Sequence, residues 1–352
     1  MRHGSQLDPP NRFEAVRSEP ALDQVQWDTE YLNEHTNRKI EYLKSTSKSI
    51  VTENNSPDLN FRYSVNPYNG CVHSCSYCYA RPYHEYLGFN AGLDFETKIV
   101  VKHDAPKLFR EFLARDRWKP EKIVFSGITD CYQPAERKFK ITRGCLEVAQ
   151  EANQPLGIIT KNALVVRDLD ILQPMTAKGL VHACVSVTTL EPDLARVMEP
   201  RTSIPAARLR TIGELSEAGV PTKVMVSPII PGLNDSEIPA ILGAAKEAGA
   251  VSASYILLRL PLTVEPVFLE WLERTQPDRK DRVLNRLRQC REGKLSDSQF
   301  GSRMRGKGKI AQQIDQMFNV FAKKHDLDQS LPSLNSDLFV SPTSASGQRR
   351  LF

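Results

Sequence analysis

Long hydrophobic runs are missing from this chain. No stretch of eighteen apolar residues occurs, and the longest, such as Ala253 to Leu258, is broken within a few positions by Ser, Arg or Pro, which excludes a bilayer-spanning helix. The first residues, Met1-Arg2-His3-Gly4-Ser5-Gln6-Leu7-Asp8, show neither the apolar core nor the small-residue cleavage site of a secretory leader, so a cytoplasmic location is expected. Cysteine is scarce and odd in number, seven in 352 residues, so disulfide staples are not expected in a chain long enough to build its own core. With 18 glycines and 23 prolines the chain is neither collagen-like nor of low complexity. Internal repeats are absent, and neither sign of charge is in short supply, since 47 basic residues face 42 acidic ones.

What charge there is has been concentrated. Between Arg279 and Lys309 eleven Lys and Arg meet only Asp281, Glu292 and Asp297, which leaves the rest of the chain slightly acidic. A stripe of this kind suits a polyanion, and Gly301, Gly306 and Gly308 among Arg303, Arg305, Lys307 and Lys309 would let phosphates approach the backbone. A charged helix face that is simply solvated gives the same count.

Residues 1–50 are polar, with Pro9, Pro10 and Pro20, and read as an arm in which Tyr31, Ile40, Tyr42 and Leu43 predict one short helix. From Phe61 the texture changes to short β-rich runs alternating with helical periodicity, the mark of βα units and a parallel sheet. Six strands are expected: Phe61 to Val65, Ile123 to Phe125, Leu156 to Thr160, Ala183 to Thr188, Thr222 to Val226 and Ser254 to Leu258, with a further extended stretch from Ile99 to Lys102. Asp104 is placed to cap a helix carrying Leu108, Phe109, Phe112 and Leu113, and Ser236 one that ends at Gly249. Six strands are too few for a closed eight-fold barrel, so the expected fold is α/β, a partial (β/α)6 barrel over residues 51–262 with its chemistry at the C-terminal strand ends. Residues 263–330 read as a basic helical region and 331–352 as a disordered tail.

Three of the seven cysteines fall together, in Asn66-Pro67-Tyr68-Asn69-Gly70-Cys71-Val72-His73-Ser74-Cys75-Ser76-Tyr77-Cys78-Tyr79-Ala80, directly after the first of the six strands. Three thiolates on one loop can hold three irons of a four-iron cluster and leave the fourth open, as a catalytic site requires. Zinc is the rival and would need His73, His84 or a remote cysteine as a fourth ligand. The spacing of Cys71, Cys75 and Cys78, with the aromatic Tyr77 before the third, resembles the radical S-adenosylmethionine (SAM) superfamily. That resemblance implies a [4Fe–4S] cluster on these cysteines, SAM chelated by the open iron, and reductive cleavage of SAM to a 5′-deoxyadenosyl radical that abstracts hydrogen from substrate.

Within the superfamily the chain is similar to the spore photoproduct lyase-like branch over residues 60–260. The similarity rests on Cys78-Tyr79, Ser126-Gly127-Ile128-Thr129-Asp130, Thr160-Lys161, Val185-Ser186-Val187 and Met198-Glu199-Pro200-Arg201-Thr202-Ser203, which occur in that order. It implies that Lys161 neutralises the SAM carboxylate, that Ser186 bonds ribose or carboxylate, and that Thr129 and Asp130 sit by the methionine amino group. An anion needs a cation and an ammonium needs oxygen acceptors. Two departures stand out. Ile128 occupies the place of the lyase's hydrogen-donating cysteine, and Lys98 to His103 lacks the lyase's tyrosines, so dimer reversal does not transfer. Cys131 and Tyr132, next in line after Asp130, are the candidate hydrogen-atom relay, although Cys131 equally suits a buried core position.

The favoured expectation is an enzyme acting on DNA or RNA, in repair or base modification, with an electron donor that no motif identifies. The alternatives are the same chemistry on a peptide or small metabolite, or a non-catalytic iron–sulfur or zinc protein that binds nucleic acid. Finally, Gln348-Arg349-Arg350-Leu351-Phe352 resembles the short peptides by which bacterial repair and replication proteins dock on the sliding clamp, which makes the clamp an expected partner.

Overall fold

The computed structural model describes residues 3–14 and 38–342. Tyr31 and the clamp-like peptide around Gln348 to Phe352 lie outside the described residues. Ten strands are present in chain order: β1 (Glu41–Lys44), β2 (Val51–Glu53), β3 (Tyr63–Val65), β4 (Tyr68–Asn69), β5 (Lys98–Val101), β6 (Ile123–Phe125), β7 (Leu156–Thr160), β8 (Val181–Ser186), β9 (Thr222–Ile229) and β10 (Ser252–Leu257). The six expected strands are β3 and β6 to β10. They form one parallel sheet in the order β10-β9-β8-β7-β6-β3, extended at one edge by antiparallel β2. Neighbouring strands in space are neighbours in sequence, as right-handed βα crossovers produce. The sheet does not close, so the molecule is an open partial barrel.

Helices cover the sheet with their apolar faces: Ala105–Leu113, where periodicity placed it, buries Phe109 and Leu113, Ile141–Glu151 buries Cys145, Leu146 and Val148, and Pro205–Glu217 buries Ile212 and Leu215. Their inner faces and the strands make one continuous core. The region after Leu260 is helical, with Val264–Thr275, Pro277–Cys290, Ser302–Arg305 and Gly308–Lys324. None of the described helices is long and apolar enough to cross a membrane.

Local expectations fail where tertiary contacts override local chemistry. Residues Glu41–Lys44 are a strand, not a helix, because they pair in parallel with β5. Asp104 makes no side-chain cap, and the helix expected to start at Ser236 begins at Ile238 after a 3-10 turn containing Ser236. Residues 331–342, read as the start of a disordered tail, are held in place instead. Asn335 N donates to Gly179 O at 2.9 Å, Val340 N to Ala152 O at 2.9 Å, and Phe339 packs on the core. Composition cannot foresee such anchoring, because a few backbone bonds and one aromatic ring supply it. Nor does the start of the chain stand free: Gly4 N and Ser5 N donate to Glu96, and a Cβ on Gly4 would overlap Ser74 O.

Candidate active site

The cysteine loop leaves the parallel sheet at the end of β3 and turns at Gly70. Its φ of +74° and the carbonyls of Lys98 and Phe95, 2.9 and 3.0 Å from where a Cβ would lie, admit only glycine there. Backbone bonds then fix the loop from several directions. Cys71 N donates to Phe95 O at 2.9 Å, Val72 N to Gln133 Oε1 at 2.9 Å, and Ser76 N to Met198 O at 3.0 Å. Arg81 is wholly buried; it donates to Cys75 O at 2.8 Å, to the carbonyls of Ala91 and Gly92 at 3.0 Å, and to Glu96 at 2.6 Å. Burial alone would push the Glu96 carboxyl up, but Arg81 together with His3 and the backbone of Ser5 holds it below the ordinary range.

A second buried carboxylate supports the other side of the loop. Glu199 accepts from the Tyr77 hydroxyl, from Thr188 Oγ1 at 2.7 Å and from Arg208, whose remaining donors reach Ser203 O at 2.7 Å, Thr202 Oγ1 at 2.6 Å and Ser186 O at 3.2 Å. Burial opposes ionisation of Glu199, and Arg208 and then Lys161 overcome it. Part of the role of the Met198 to Ser203 segment is thus to carry a brace for the aromatic residue of the cysteine motif.

Cys71 and Cys75 are buried and Cys78 is half-buried; burial pushes all three thiols up, opposed only in part by Lys161 at Cys75 and by Arg81 ahead of Lys161 at Cys78. Among the described residues no three His, Cys, Asp or Glu side chains come together as ligands of a single ion; a cubane takes each cysteine on a different iron. Lys161 directly follows β7, with Nζ 5.8 Å from the centre of the Tyr77 ring and no salt bridge among the described residues. Asp130 follows β6 and accepts from Thr160 Oγ1, Lys161 N and Tyr132 N, each at 2.8 Å. His73 Nδ1 faces it at 3.4 Å while Asn162 Nδ2 donates to Nε2. Burial lowers the His73 pKa to about 4 in spite of Asp130, so the ring is neutral at pH 7. Thr129 is buried, its hydroxyl on Tyr68 O, and Ser186 is buried at the end of β8.

The structure therefore gathers Cys71, Cys75, Cys78, Tyr77, Asp130 and Lys161 around one loop, with Thr129 and Ser186 at adjoining strand ends. It places Cys131 and Tyr132 differently. Both are fully buried in the main hydrophobic core; the Tyr132 hydroxyl donates to Asp168 at 3.0 Å, and the Cys131 backbone is bonded by Ser126 and Thr142. Both side chains thus have packing partners in the core, and Tyr132 a hydrogen-bond partner there, besides the hydrogen relay expected of them. Sequence reasoning missed Arg81, Glu96, Asn162 and Arg208; His73 was considered only as a zinc ligand, and Glu199 stood in a noted motif without a role. Beside the loop opens a cleft of about 220 Å³ whose walls include Asn66, Asn69, Tyr83, Lys102, Ile128 and Thr129.

An open parallel βα sheet with a three-cysteine loop at the end of its first parallel strand defines the partial-barrel class of SAM-cleaving enzymes. The profile of the Radical SAM superfamily matches residues 65–245, and the chain belongs to that superfamily; its cofactors are a [4Fe–4S] cluster and SAM. Among relatives, an uncharacterized protein of Mycobacterium tuberculosis is 38% identical over 226 residues, 64% of this chain and 66% of the relative. The match therefore spans just under two thirds of that relative's own length. An uncharacterized protein of Methanocaldococcus jannaschii is 28% identical over 250 residues, 71% of this chain and 89% of the relative. A spore photoproduct lyase variant solved with bound AdoMet and dinucleoside spore photoproduct has the same fold, with a TM-score of 0.61 at 15% identity over 90% of this chain and 85% of that one.

Proposed function

We propose that the protein is a radical SAM enzyme acting on nucleic acid, in repair or base modification, with the cluster on Cys71, Cys75 and Cys78. The donor set fits such a group: three thiols on a rigidly held loop leave one iron without a protein ligand. When bound, the cluster and SAM supply a hydrogen-abstracting 5′-deoxyadenosyl radical, and the chain supplies position and charge. Lys161, which forms no salt bridge among the described residues, neutralises the SAM carboxylate. Asp130 and Thr129 take the amino group, and Ser186 bonds the sugar or the carboxylate. The neutral His73 holds Asp130 in place from the buried side, and Tyr77, pinned by Glu199, keeps the third cysteine in register. An electron donor is required, and docking on a sliding clamp through Gln348, Leu351 and Phe352 is part of this proposal.

The observation that carries the nucleic-acid reading is that two cations beside the loop to which SAM gives no role, Lys102 and Arg259, form no salt bridge among the described residues, whereas the buried arginines Arg81 and Arg208 each do. Free cations at an active-site mouth suit a polyanion. The lyase that shares the fold was solved with a dinucleoside lesion, which supports the same substrate class. Ile128 in place of a thiol argues for a different product.

The test is anaerobic reconstitution, dithionite reduction and measurement of 5′-deoxyadenosine with and without oligonucleotides. Transfer of deuterium from a perdeuterated oligonucleotide into 5′-deoxyadenosine is the expected result. Formation of 5′-deoxyadenosine that is indifferent to nucleic acid but stimulated by peptides would overturn the substrate. Retention of the full iron and sulfide content in a Cys71→Ala, Cys75→Ala, Cys78→Ala variant would remove the cluster from this loop.

A further inference from the structure

Arg259 lies two residues beyond β10, at the same C-terminal strand ends as the cysteine loop, and most of its charge is unclaimed. Its Nη1 meets Met304 Sδ at 3.6 Å, its Nε is buried without a hydrogen-bond partner, and it makes no salt bridge among the described residues. The charged and phenolic groups acting on it include Arg303, Tyr79, Tyr83, Asp58 and Arg291, and Asp58 is itself bonded by Arg303 and by Gly301 N. Burial lowers the Arg259 pKa, with Arg303 adding to the effect. An incompletely solvated cation without a counter-ion is costly to the fold unless something else supplies the anion.

The two phenols beside it are exposed, Tyr79 by 42% and Tyr83 by 53%. Tyr79 is not a loose surface ring, because its hydroxyl donates to Gly127 O at 2.8 Å. Tyr83 is shared, since it also walls the cleft beside the cysteine loop, where Tyr86 continues the aromatic lining. Lys102, half-buried, lines the same cleft, with no carboxylate among the lining residues. Burial lowers its pKa to about 8, and no opposite charge offsets this. Tyr83 therefore connects two cations without a salt bridge, since it acts on Arg259 together with Tyr79 and shares the cleft with Lys102.

The chemistry of these four residues selects their occupant. A small anion would satisfy one cation and leave the tyrosines idle, and an acidic peptide would offer no planar groups to the rings. A polymer with regularly spaced anions and a flat ring on every unit matches both features, and the rings must be unstacked to be available, which a duplex does not allow. We propose that the rim formed by Arg259, Tyr79, Tyr83 and Lys102 is the docking groove for single-stranded nucleic acid, with phosphates on the two cations and bases on the tyrosines. This rests on the nucleic-acid reading above and narrows it to an unpaired strand or an extruded nucleotide.

The experiment is fluorescence anisotropy of a labelled twelve-nucleotide single strand, and of its duplex, on the anaerobically reconstituted protein across a salt series. Wild type is expected to bind the single strand more tightly than the duplex. Lys102→Gln with Arg259→Gln should weaken single-strand binding tenfold or more and lower the slope of log affinity against log salt by about 1.4, roughly 0.7 for each phosphate no longer neutralised. Tyr83→Ala should weaken it about tenfold and Tyr83→Trp should not, as stacking requires. Iron content and melting temperature show whether each variant has folded, and Lys102→Arg with Arg259→Lys should restore the salt slope. If wild type binds no nucleic acid, the broader reading falls. If wild type binds but the double variant keeps the same affinity and slope, or Arg279→Gln with Arg288→Gln weakens binding more, the groove assignment alone is overturned. Equal binding of the duplex overturns the preference for a single strand.

Discussion

Glu96 and Glu199, the buried supports of the cysteine loop, each pair with an arginine that is itself buried, whereas Lys161, Lys102 and Arg259 around the loop form no salt bridge among the described residues. The first set is ordinary interior electrostatics: a charge that leaves water must find a partner and fill its remaining hydrogen bonds, and both arginines do so. The second set leaves cations half-desolvated and unmatched, which folding alone gives no reason to keep. The contrast separates charges that hold the loop from charges that await a ligand. The basic stripe makes the same point. Much of it is already engaged within the chain, Lys280 with Glu273, Arg286 with Asp235, Arg303 with Asp58 and Lys307 with Glu292, while Arg291 is buried on backbone carbonyls. A count of charge along the sequence does not reveal which cations are free.

The largest effect should come from breaking a matched pair. Arg208→Met alone strands Glu199 in the interior and is expected to cost about 3–5 kcal/mol, seen as a lower melting temperature and less iron bound after reconstitution. Adding Glu199→Leu should recover a large part of that loss, because the uncompensated charge is gone. A loss below about 1 kcal/mol in the single variant, within the range of an ordinary surface pair, would erase the distinction between the two sets of charges.

Removing an unmatched cation should act on ligand instead. Lys161→Ala is expected to weaken SAM binding by about 1.5–3 kcal/mol, the worth of a charge-assisted hydrogen bond, with little change in melting temperature. Calorimetry under anaerobic conditions measures the first and a thermal melt the second. Unchanged affinity, or a fall in stability as large as that of Arg208→Met, would move Lys161 to the structural set.

How legible these features were follows from their range along the chain. The six parallel strands and the cysteine loop were readable because β-rich runs, turn residues and a three-cysteine spacing are local signals, and β6 and β7 begin and end where the pattern placed them. The braces were not, since Arg81 and Glu96 are 15 residues apart, Tyr77 and Glu199 are 122 apart, and nothing local pairs them. The burial of Cys131 and Tyr132 was not legible either, because proximity in sequence to Asp130 does not fix which way a side chain points. Here the turn after Asp130 carries Tyr132 into the core toward Asp168.

A smaller effect distinguishes the mouth by pH. Burial lowers the Lys102 pKa to about 8, so the free protein loses this cation as pH rises through that value, while phosphates and Arg259 keep their charge. Single-strand affinity should therefore decline between pH 7 and 9, and Lys102→Arg should flatten the profile, because a guanidinium does not titrate there. A wild-type profile as flat as that of the arginine variant would take Lys102 out of the groove.

The weakest expected interaction is that of the C-terminal peptide with a sliding clamp. Residues 331–342 are anchored at Gly179 and Ala152, which precede β8 and β7, so the chain is led away at the N-terminal ends of the strands, opposite the cysteine loop and the groove. If the peptide from Ser344 to Phe352 docks on a sliding clamp, clamp and substrate then occupy separate faces and do not compete. Ordering a short tail costs entropy that two buried side chains, Leu351 and Phe352, offset only narrowly. Binding in the tens-of-micromolar range is therefore expected for the labelled peptide by fluorescence anisotropy, and it should disappear when both residues are replaced by Ala. For the whole protein, saturating clamp should leave single-strand affinity unchanged. Competition between the two would show that the tail reaches the groove after all, and binding indifferent to Leu351 and Phe352 would assign the contact to Arg349 and Arg350 as simple charge attraction.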